Sequence, residues 1–136
     1  MPIENAETIR TILQDTKTIA VVGASPKPGR DSGTIAQFLI EKGYTVMPVN
    51  PLYREVLGLT CYPDLKSIPQ RVDLVDIFRR SEEVAPIVEE AIGIGAKFVW
   101  MQLGVVNPGA AARAERAGLK VVMDRCIAIE YRHLIG

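Results

Sequence analysis

The sequence has no excess of charge of either sign, and it contains little cysteine and histidine. Sixteen Lys and Arg residues balance sixteen Asp and Glu residues, and histidine occurs once. A general nucleic-acid binder should show a clear basic excess, so the balance predicts that nucleic acid is not a partner. The two cysteines, Cys61 and Cys126, stand far apart and form no Cys-x-x-Cys pair. Neither a zinc site nor a disulfide framework is indicated, and we expect no metal.

Long hydrophobic runs are also lacking. No stretch approaches the roughly 20 apolar residues that a membrane-spanning helix needs. Glu4 and Glu7 stand where a secretion signal would carry basic residues followed by an apolar segment. We therefore expect a cytoplasmic protein that has no membrane partner. A length of 136 residues with 48% hydrophobic content fits one domain, residues 1–136, that buries a single core.

Apolar, β-branched runs alternate with helical patterns along the chain. Asn5 and Ser81 are predicted to cap the first and third helices, and further helices are expected near 32–42, 108–117 and after 126. Strands are predicted at 18–22, 45–49, 73–78, 97–103 and 120–123, with a further short strand near 56–61. Strands that are apolar on both faces are typical of a parallel sheet covered on two sides. We predict a Rossmann-like α/β fold of three layers, with a mostly parallel sheet of five to six strands.

The most informative segment joins the first strand to the second helix. The strand stops at Gly23, where the missing side chain lets a ligand approach the backbone. Lys27 and Arg30 can add charge-assisted hydrogen bonds, and the hydroxyls of Ser25 and Ser32 can donate further hydrogen bonds. The helix that follows offers unpaired N–H groups. This layout predicts a phosphate-binding turn. A plain solvated turn is the alternative, because the segment is neither a G-x-G-x-x-G pattern nor a P-loop.

The second strand ends in Asn50-Pro51, where an NAD-binding fold usually places an acid that holds a ribose. Neutral Asn50 would not repel a phosphorylated ribose, and Arg54 lies nearby. A simple turn explains the Asn-Pro pair equally well. Two other predicted strand ends would bring Phe78-Arg79-Arg80 and Gln102 to the same edge of the sheet, although taken singly such residues are more often surface charges and core edges. Together these features indicate a nucleotide-containing ligand other than NAD.

No nucleophile–base pair is evident, so we predict no catalytic residue. His133 has no Ser or Cys partner in the pattern and is expected to be a solvated helix residue. Asp76 is either a hydrogen-bonded structural acid or a buried carboxyl with a raised pKa. An enzyme acting on an acyl thioester or nucleotide, with Cys126 or Asp76 as the chemical group, remains an alternative. An NAD-binding regulatory or redox-sensing protein is a second one.

Short segments in order along nearly the whole chain resemble the small CoA-binding proteins with a Rossmann-like fold. The same module opens the alpha subunit of succinyl-CoA synthetase. The matching segments are Val22-Gly23-Ala24-Ser25, Gly43-Tyr44, Pro48-Val49-Asn50-Pro51, Val75-Asp76-Ile77-Phe78, Trp100-Met101-Gln102-Leu103-Gly104 and Asp124-Arg125-Cys126. The resemblance implies that the bound ligand is coenzyme A, whose pyrophosphate and ribose phosphate suit a phosphate loop and a second strand without an acid.

The resemblance also implies the walls of the site. The pyrophosphate would lie on the first loop, the adenosine beside the end of the second strand, and the other wall would come from Phe78, Arg79 and Val84. The predicted cofactor-binding set is Gly23, Ala24, Ser25, Lys27, Arg30, Ser32, Val49, Asn50, Pro51, Phe78, Arg79, Val84 and Gln102. The synthetase has a second domain with a phosphorylated histidine, for which this chain has no room. A stand-alone binding protein for CoA or an acyl-CoA is therefore expected, with any protein partner or homo-oligomer left open.

Overall fold

A five-stranded parallel sheet forms the centre of the molecule. The computed structural model describes residues 1–136. The strands are β1 (Thr18–Val22), β2 (Thr45–Val49), β3 (Glu55–Val56), β4 (Leu59–Thr60), β5 (Leu74–Ile77), β6 (Phe98–Met101) and β7 (Lys120–Val122). Five of them lie in the order β2-β1-β5-β6-β7 with every neighbouring pair parallel, and β3 and β4 form a separate antiparallel hairpin. The predicted parallel sheet is confirmed.

Helices cover both faces of the sheet. They are α1 (Ala6–Asp15), α2 (Asp31–Glu41), α3 (Val84–Gly93), α4 (Pro108–Arg116) and α5 (Ile127–Leu134). Apolar residues of α1, α2 and α5 pack on one face, which also buries Trp100 completely. Apolar residues of α3 and α4 pack on the other face. The three-layer, Rossmann-like α/β architecture predicted from the alternating pattern is therefore confirmed.

The strand order places a crevice beside β1. The chain passes from β1 to β2 on one side, and later returns to β5 on the other side of β1. In sheets of this type, ligands bind outside the carboxyl ends of the strands where the order reverses. The loops that follow β1, β2 and β5 therefore form the candidate site.

Two local predictions are wrong. The segment 56–61 is not one strand, because Leu57 (φ 56°) and Gly58 (φ 74°) form a tight turn that separates β3 from β4. Ser81 does not cap α3, which begins at Val84 after a 3-10 turn over Ser81–Glu83. The Ser81 hydroxyl instead accepts a hydrogen bond of 2.9 Å from the Val106 amide. The Asn5 cap of α1 is confirmed, since its side chain accepts from the Thr8 amide at 3.1 Å.

Both outer edges of the sheet are covered by short stretches of chain. Beside β2, the Tyr62 amide donates to the Pro48 carbonyl oxygen at 3.0 Å, and Val49 and Tyr62 form an isolated parallel bridge. Beside β7, the Ile3 amide donates to the Val121 carbonyl oxygen at 2.7 Å. The sheet therefore presents neither edge fully open.

The amino-terminal edge of the sheet is held by Asp73. Its carboxylate Oδ2 accepts from the amides of Lys17 at 2.9 Å and Thr18 at 3.2 Å, and its own amide donates to the Thr18 hydroxyl at 2.8 Å. Burial alone would raise the pKa of Asp73, but the amide hydrogen bonds and the charge of Lys97 outweigh burial and lower it. Asp73 is therefore a structural carboxylate, on the edge opposite the crevice.

Candidate functional site

Gly23 forms the floor of the crevice and cannot be replaced without strain. Its φ is +91°, a backbone conformation that side chains disfavour. A Cβ at this position would lie 2.5 Å from the Phe78 carbonyl oxygen and 3.0 Å from Arg79 Cδ. The Gly23 amide donates to the Val49 carbonyl oxygen at 2.9 Å. Gly23 thus brings the loop after β1 against the ends of both neighbouring strands.

The loop between Gly23 and α2 is fixed by its own serines. The Ser25 amide donates to Ser32 Oγ at 3.2 Å, and the Lys27 amide donates to Ser25 Oγ at 3.2 Å. Both hydroxyls act here as acceptors, so each keeps its hydrogen for a further acceptor. The amides of Ala24 and Asp31 donate no hydrogen bond within the chain. The loop therefore combines fixed geometry with donors that remain free for an anion.

The crevice consists of two adjoining chambers that share Gly23, Asn50, Arg79 and Glu83. We call the first the basic chamber; it has a volume of about 280 Å³ and is also lined by Ser25, Lys27, Arg30, Leu52, Tyr53, Phe78 and Arg80. We call the second the acidic chamber; it has a volume of about 200 Å³ and is also lined by Val22, Val49, Pro51, Pro63, Asp64, Ile87 and Glu90. A third depression of about 270 Å³ leads from Gly23 to Ser32 at the start of α2.

The two chambers differ in charge. Four cationic side chains, those of Lys27, Arg30, Arg79 and Arg80, line the basic chamber with a single carboxylate, Glu83. The acidic chamber is lined by three carboxylates, those of Asp64, Glu83 and Glu90, and by one cationic side chain, that of Arg79. Burial, followed by the charge of Asp64, raises the pKa of Glu90. An anionic group is therefore favoured in the basic chamber, and a neutral group that donates hydrogen bonds suits the acidic one.

Asn50 ties the loops after β1 and β2 together. Its side-chain Nδ2 donates to the Ala24 carbonyl oxygen at 2.9 Å, and its Oδ1 accepts from the Leu52 amide at 2.9 Å. The second bond is an Asx turn, which explains the Asn-Pro pair in part as turn chemistry. Asn50 also lines both chambers, so the turn and the site are features of the same residue.

The structure brings most of the predicted site residues to this crevice. Those that line a chamber or the adjoining depression are Gly23, Ser25, Lys27, Arg30, Ser32, Val49, Asn50, Pro51, Phe78 and Arg79. Ala24 is buried next to Gly23 and lines none of these spaces, although its amide has no partner within the chain. Val84 is buried in the core under α3, and Gln102 is turned inward. Arg54 is exposed and does not line the crevice.

Asp76 lies inside the sheet and not in the crevice. It is fully buried, and its Oδ1 accepts a 2.6 Å hydrogen bond from Gln102 Nε2, while Oδ2 has no partner. Burial raises the pKa of Asp76 to about 8, against a smaller lowering by Gln102. Asp76 is therefore a largely protonated internal carboxyl at neutral pH, and it lines neither chamber.

The two thiols and the imidazole also lie outside the crevice. Cys126 lines a separate cavity of about 660 Å³ beside β6 and β7, and Cys61 is buried with its thiol 3.6 Å from the Asn50 carbonyl oxygen. His133 is exposed on α5. No group of three or more His, Cys, Asp or Glu side chains is arranged to hold a metal ion. None of the helices is both long and apolar enough to span a membrane.

Sequence reasoning missed the acidic chamber. Glu83 and Glu90 stand seven residues apart, so they lie on the same side of the helical segment that follows β5, and this spacing was visible in the sequence. Asp64 enters the chamber because the bridge between Val49 and Tyr62 places the chain beside β2. No local pattern signals that bridge.

Comparison with known proteins agrees with the fold. The profile of a family described as CoA binding domain matches residues 17–132. The chain is 39% identical over 123 residues to the uncharacterized protein YneT of Bacillus subtilis, and the alignment covers 90% of this chain and 91% of YneT. It is 36% identical over 121 residues to an ADP-forming acetate–CoA ligase I of Archaeoglobus fulgidus, covering 82% of this chain but 18% of the ligase. A solved structure of a hypothetical protein from Pyrococcus horikoshii OT3 superposes with a TM-score of 0.96 at 46% identity, over 100% of this chain and 97% of that one.

Proposed function

Because the chain belongs to the CoA-binding domain family, we propose that it is a stand-alone binding protein for coenzyme A or an acyl-CoA. The observation that carries the proposal is the basic chamber. Lys27, Arg30, Arg79 and Arg80 converge on it beside Gly23, at the point where the strand order reverses. Such a site suits a diphosphate, because charged donors and free amides compensate its negative oxygens.

The diphosphate of CoA would lie between Gly23 and Arg30 in this proposal. Donors for it are the free amides of Ala24 and Asp31, the hydroxyls of Ser25 and Ser32, and the side chains of Lys27 and Arg30. The nucleoside would extend into the acidic chamber, where Val49, Pro51, Pro63 and Ile87 provide apolar walls. Carboxylates there can accept hydrogen bonds from an exocyclic amino group of a base.

Binding without catalysis is the simplest use of this arrangement. The crevice contains no cysteine, histidine or serine–base pair, while Asp76 and Cys126 lie outside it. The Archaeoglobus fulgidus ligase is a much longer protein, since the alignment with this chain spans 18% of its length. We therefore propose that this crevice binds its ligand without transforming it.

Calorimetry and thermal unfolding test the proposal. We expect CoA and acetyl-CoA to bind and to stabilise the fold, by about 2.7 kcal/mol at 100 times the dissociation constant. Dephospho-CoA should bind more weakly, because it lacks the ribose phosphate that Arg79, which lines both chambers, can pair with. NAD should stabilise the protein least, and stronger stabilisation by NAD than by CoA would refute the proposal.

A charge reversal in the loop locates the site. Lys27→Glu should weaken CoA binding by about tenfold or more, since a charge-assisted hydrogen bond contributes about 1.5–3 kcal/mol, while the unliganded Tm should stay unchanged. Lys120→Glu is the matched control, because Lys120 is exposed at the start of β7 on the opposite edge of the sheet. Equal CoA affinity in both variants would contradict the placement of the diphosphate.

A further inference from the structure

Arg79 and Glu83 form an ion pair on the wall that the two chambers share. Arg79 Nη2 lies 2.9 Å from Oε1 and 3.1 Å from Oε2 of Glu83. The remaining guanidinium nitrogens of Arg79 make no hydrogen bond within the chain. Arg80 approaches the same carboxylate, with its Nε 3.8 Å from Glu83 Oε2. A single internal carboxylate therefore faces both arginines that follow β5.

The backbone holds Glu83 in this position. The 3-10 turn over Ser81–Glu83 returns the chain toward Arg79. This turn is anchored to the loop after β6, because Ser81 accepts from the Val106 amide at 2.9 Å through its hydroxyl and from Asn107 Nδ2 at 2.9 Å through its carbonyl. At the other end, the stem of Arg79 lies against Gly23, where a Cβ would come within 3.0 Å of it. The pair is thus built into the crevice and is not an incidental meeting of two long side chains.

We infer that Glu83 is an internal competitor for the anionic ligand, and that it determines which anions the crevice accepts. The inference rests on the proposed function. An anion that binds beside Gly23 either displaces the Glu83 carboxylate from its ion pair with Arg79 or lies next to a carboxylate of like charge. A diphosphate has several charged oxygens with which to replace the carboxylate. A small monoanion has too few, so Glu83 excludes it more strongly.

Charge-neutral variants test the inference directly. Isothermal titration calorimetry would measure CoA, inorganic pyrophosphate and acetate with the wild type, Glu83→Gln and Glu82→Gln. Glu82 is the matched control, because it precedes Glu83, is 72% exposed, lies 3.8 Å from Arg80 and does not line the crevice. We expect Glu83→Gln to bind CoA about tenfold tighter and to lose selectivity against acetate. Glu82→Gln should stay within about twofold of the wild type.

A double-mutant cycle separates competition for Arg79 from general repulsion. In an Arg79→Gln background, Glu83→Gln should improve CoA affinity by less than about threefold, because the contested partner is gone. A full tenfold gain in that background would overturn competition. Equal or weaker CoA binding by Glu83→Gln in the otherwise native protein would overturn it as well.

The outcomes also distinguish this inference from the proposed function. If the wild type binds no CoA, yet pyrophosphate binds about tenfold tighter to Glu83→Gln than to the wild type, CoA is the wrong ligand and the competitor role stands. If CoA binds and Glu83→Gln changes nothing, the proposed function stands and the competitor role is refuted. If no variant binds either probe, both are refuted. Circular dichroism confirms that each variant is folded.

Discussion

Replacing Asp76 with Asn should flatten the dependence of stability on pH. The pKa of this buried carboxyl is raised to about 8 in the folded protein, whereas it is about 3.9 in an unfolded chain. The folded state therefore keeps a proton that the unfolded chain has released between these two values. The free energy of unfolding then falls as the pH rises through this range. For a folded pKa of about 8, the loss between pH 6 and pH 8 amounts to about 2 kcal/mol.

Urea denaturation at several pH values between 6 and 8 measures this loss. At pH 6 the Asp76→Asn variant should match the wild type within about 1 kcal/mol, because a neutral amide can still accept the hydrogen bond from Gln102. At pH 8 the variant should be the more stable protein by about 2 kcal/mol. The raised pKa of Glu90 contributes to both proteins alike and cancels in the difference. Parallel stability curves for the two proteins would show that the carboxyl is ionised inside the fold, and would refute the reasoning.

Three further variants have defined outcomes. Asp73→Asn should lower the free energy of unfolding by about 1–2 kcal/mol at pH 7, and the two proteins should converge in acid. The reason is that a lowered pKa stabilises the fold only while the pH stays above the pKa of the folded state. Urea titrations at pH 7 and pH 3 test this, and an equal deficit at both would contradict it. Gly23→Ala should cost at least about 2 kcal/mol, from its positive φ and its clash with Phe78, and an unchanged Tm would count against the close approach. Asn50→Asp should cost about 1–3 kcal/mol, since a carboxylate cannot donate to the Ala24 carbonyl, and CoA titration should show weaker binding; wild-type stability and affinity would refute that role.

The sheet was predictable from the sequence because its strands are continuous apolar runs. Thr18–Val22 and Thr45–Val49 match the structure residue for residue. The sequence also predicted that Gly23, Lys27 and Arg30 lie together at the end of a buried strand, and the structure places all three on the crevice. Such features are determined by residues close together in the sequence, and for that reason they can be predicted from it.

Features that depend on distant contacts were harder to predict. The Ser81 hydroxyl can cap a helix, but it bonds to Val106 because the loop after β6 lies beside it. Gln102 stands at a strand end, where its side chain would be free to meet a ligand, but Asp76 draws it inward. Asp64 lies beside β2 because of the bridge between Val49 and Tyr62. Each of these outcomes follows from long-range packing, which the sequence pattern does not encode locally.

The covered margins of the sheet limit how molecules of this protein can associate. An unpaired strand edge is a template onto which another polypeptide can add, and such addition leads to domain swapping or fibrous aggregation. Here the hydrogen bonds of Tyr62 and Ile3 occupy part of each margin, and Pro48 removes one donor from β2. Continuous growth of the β-structure from one molecule into the next across these two margins is therefore disfavoured.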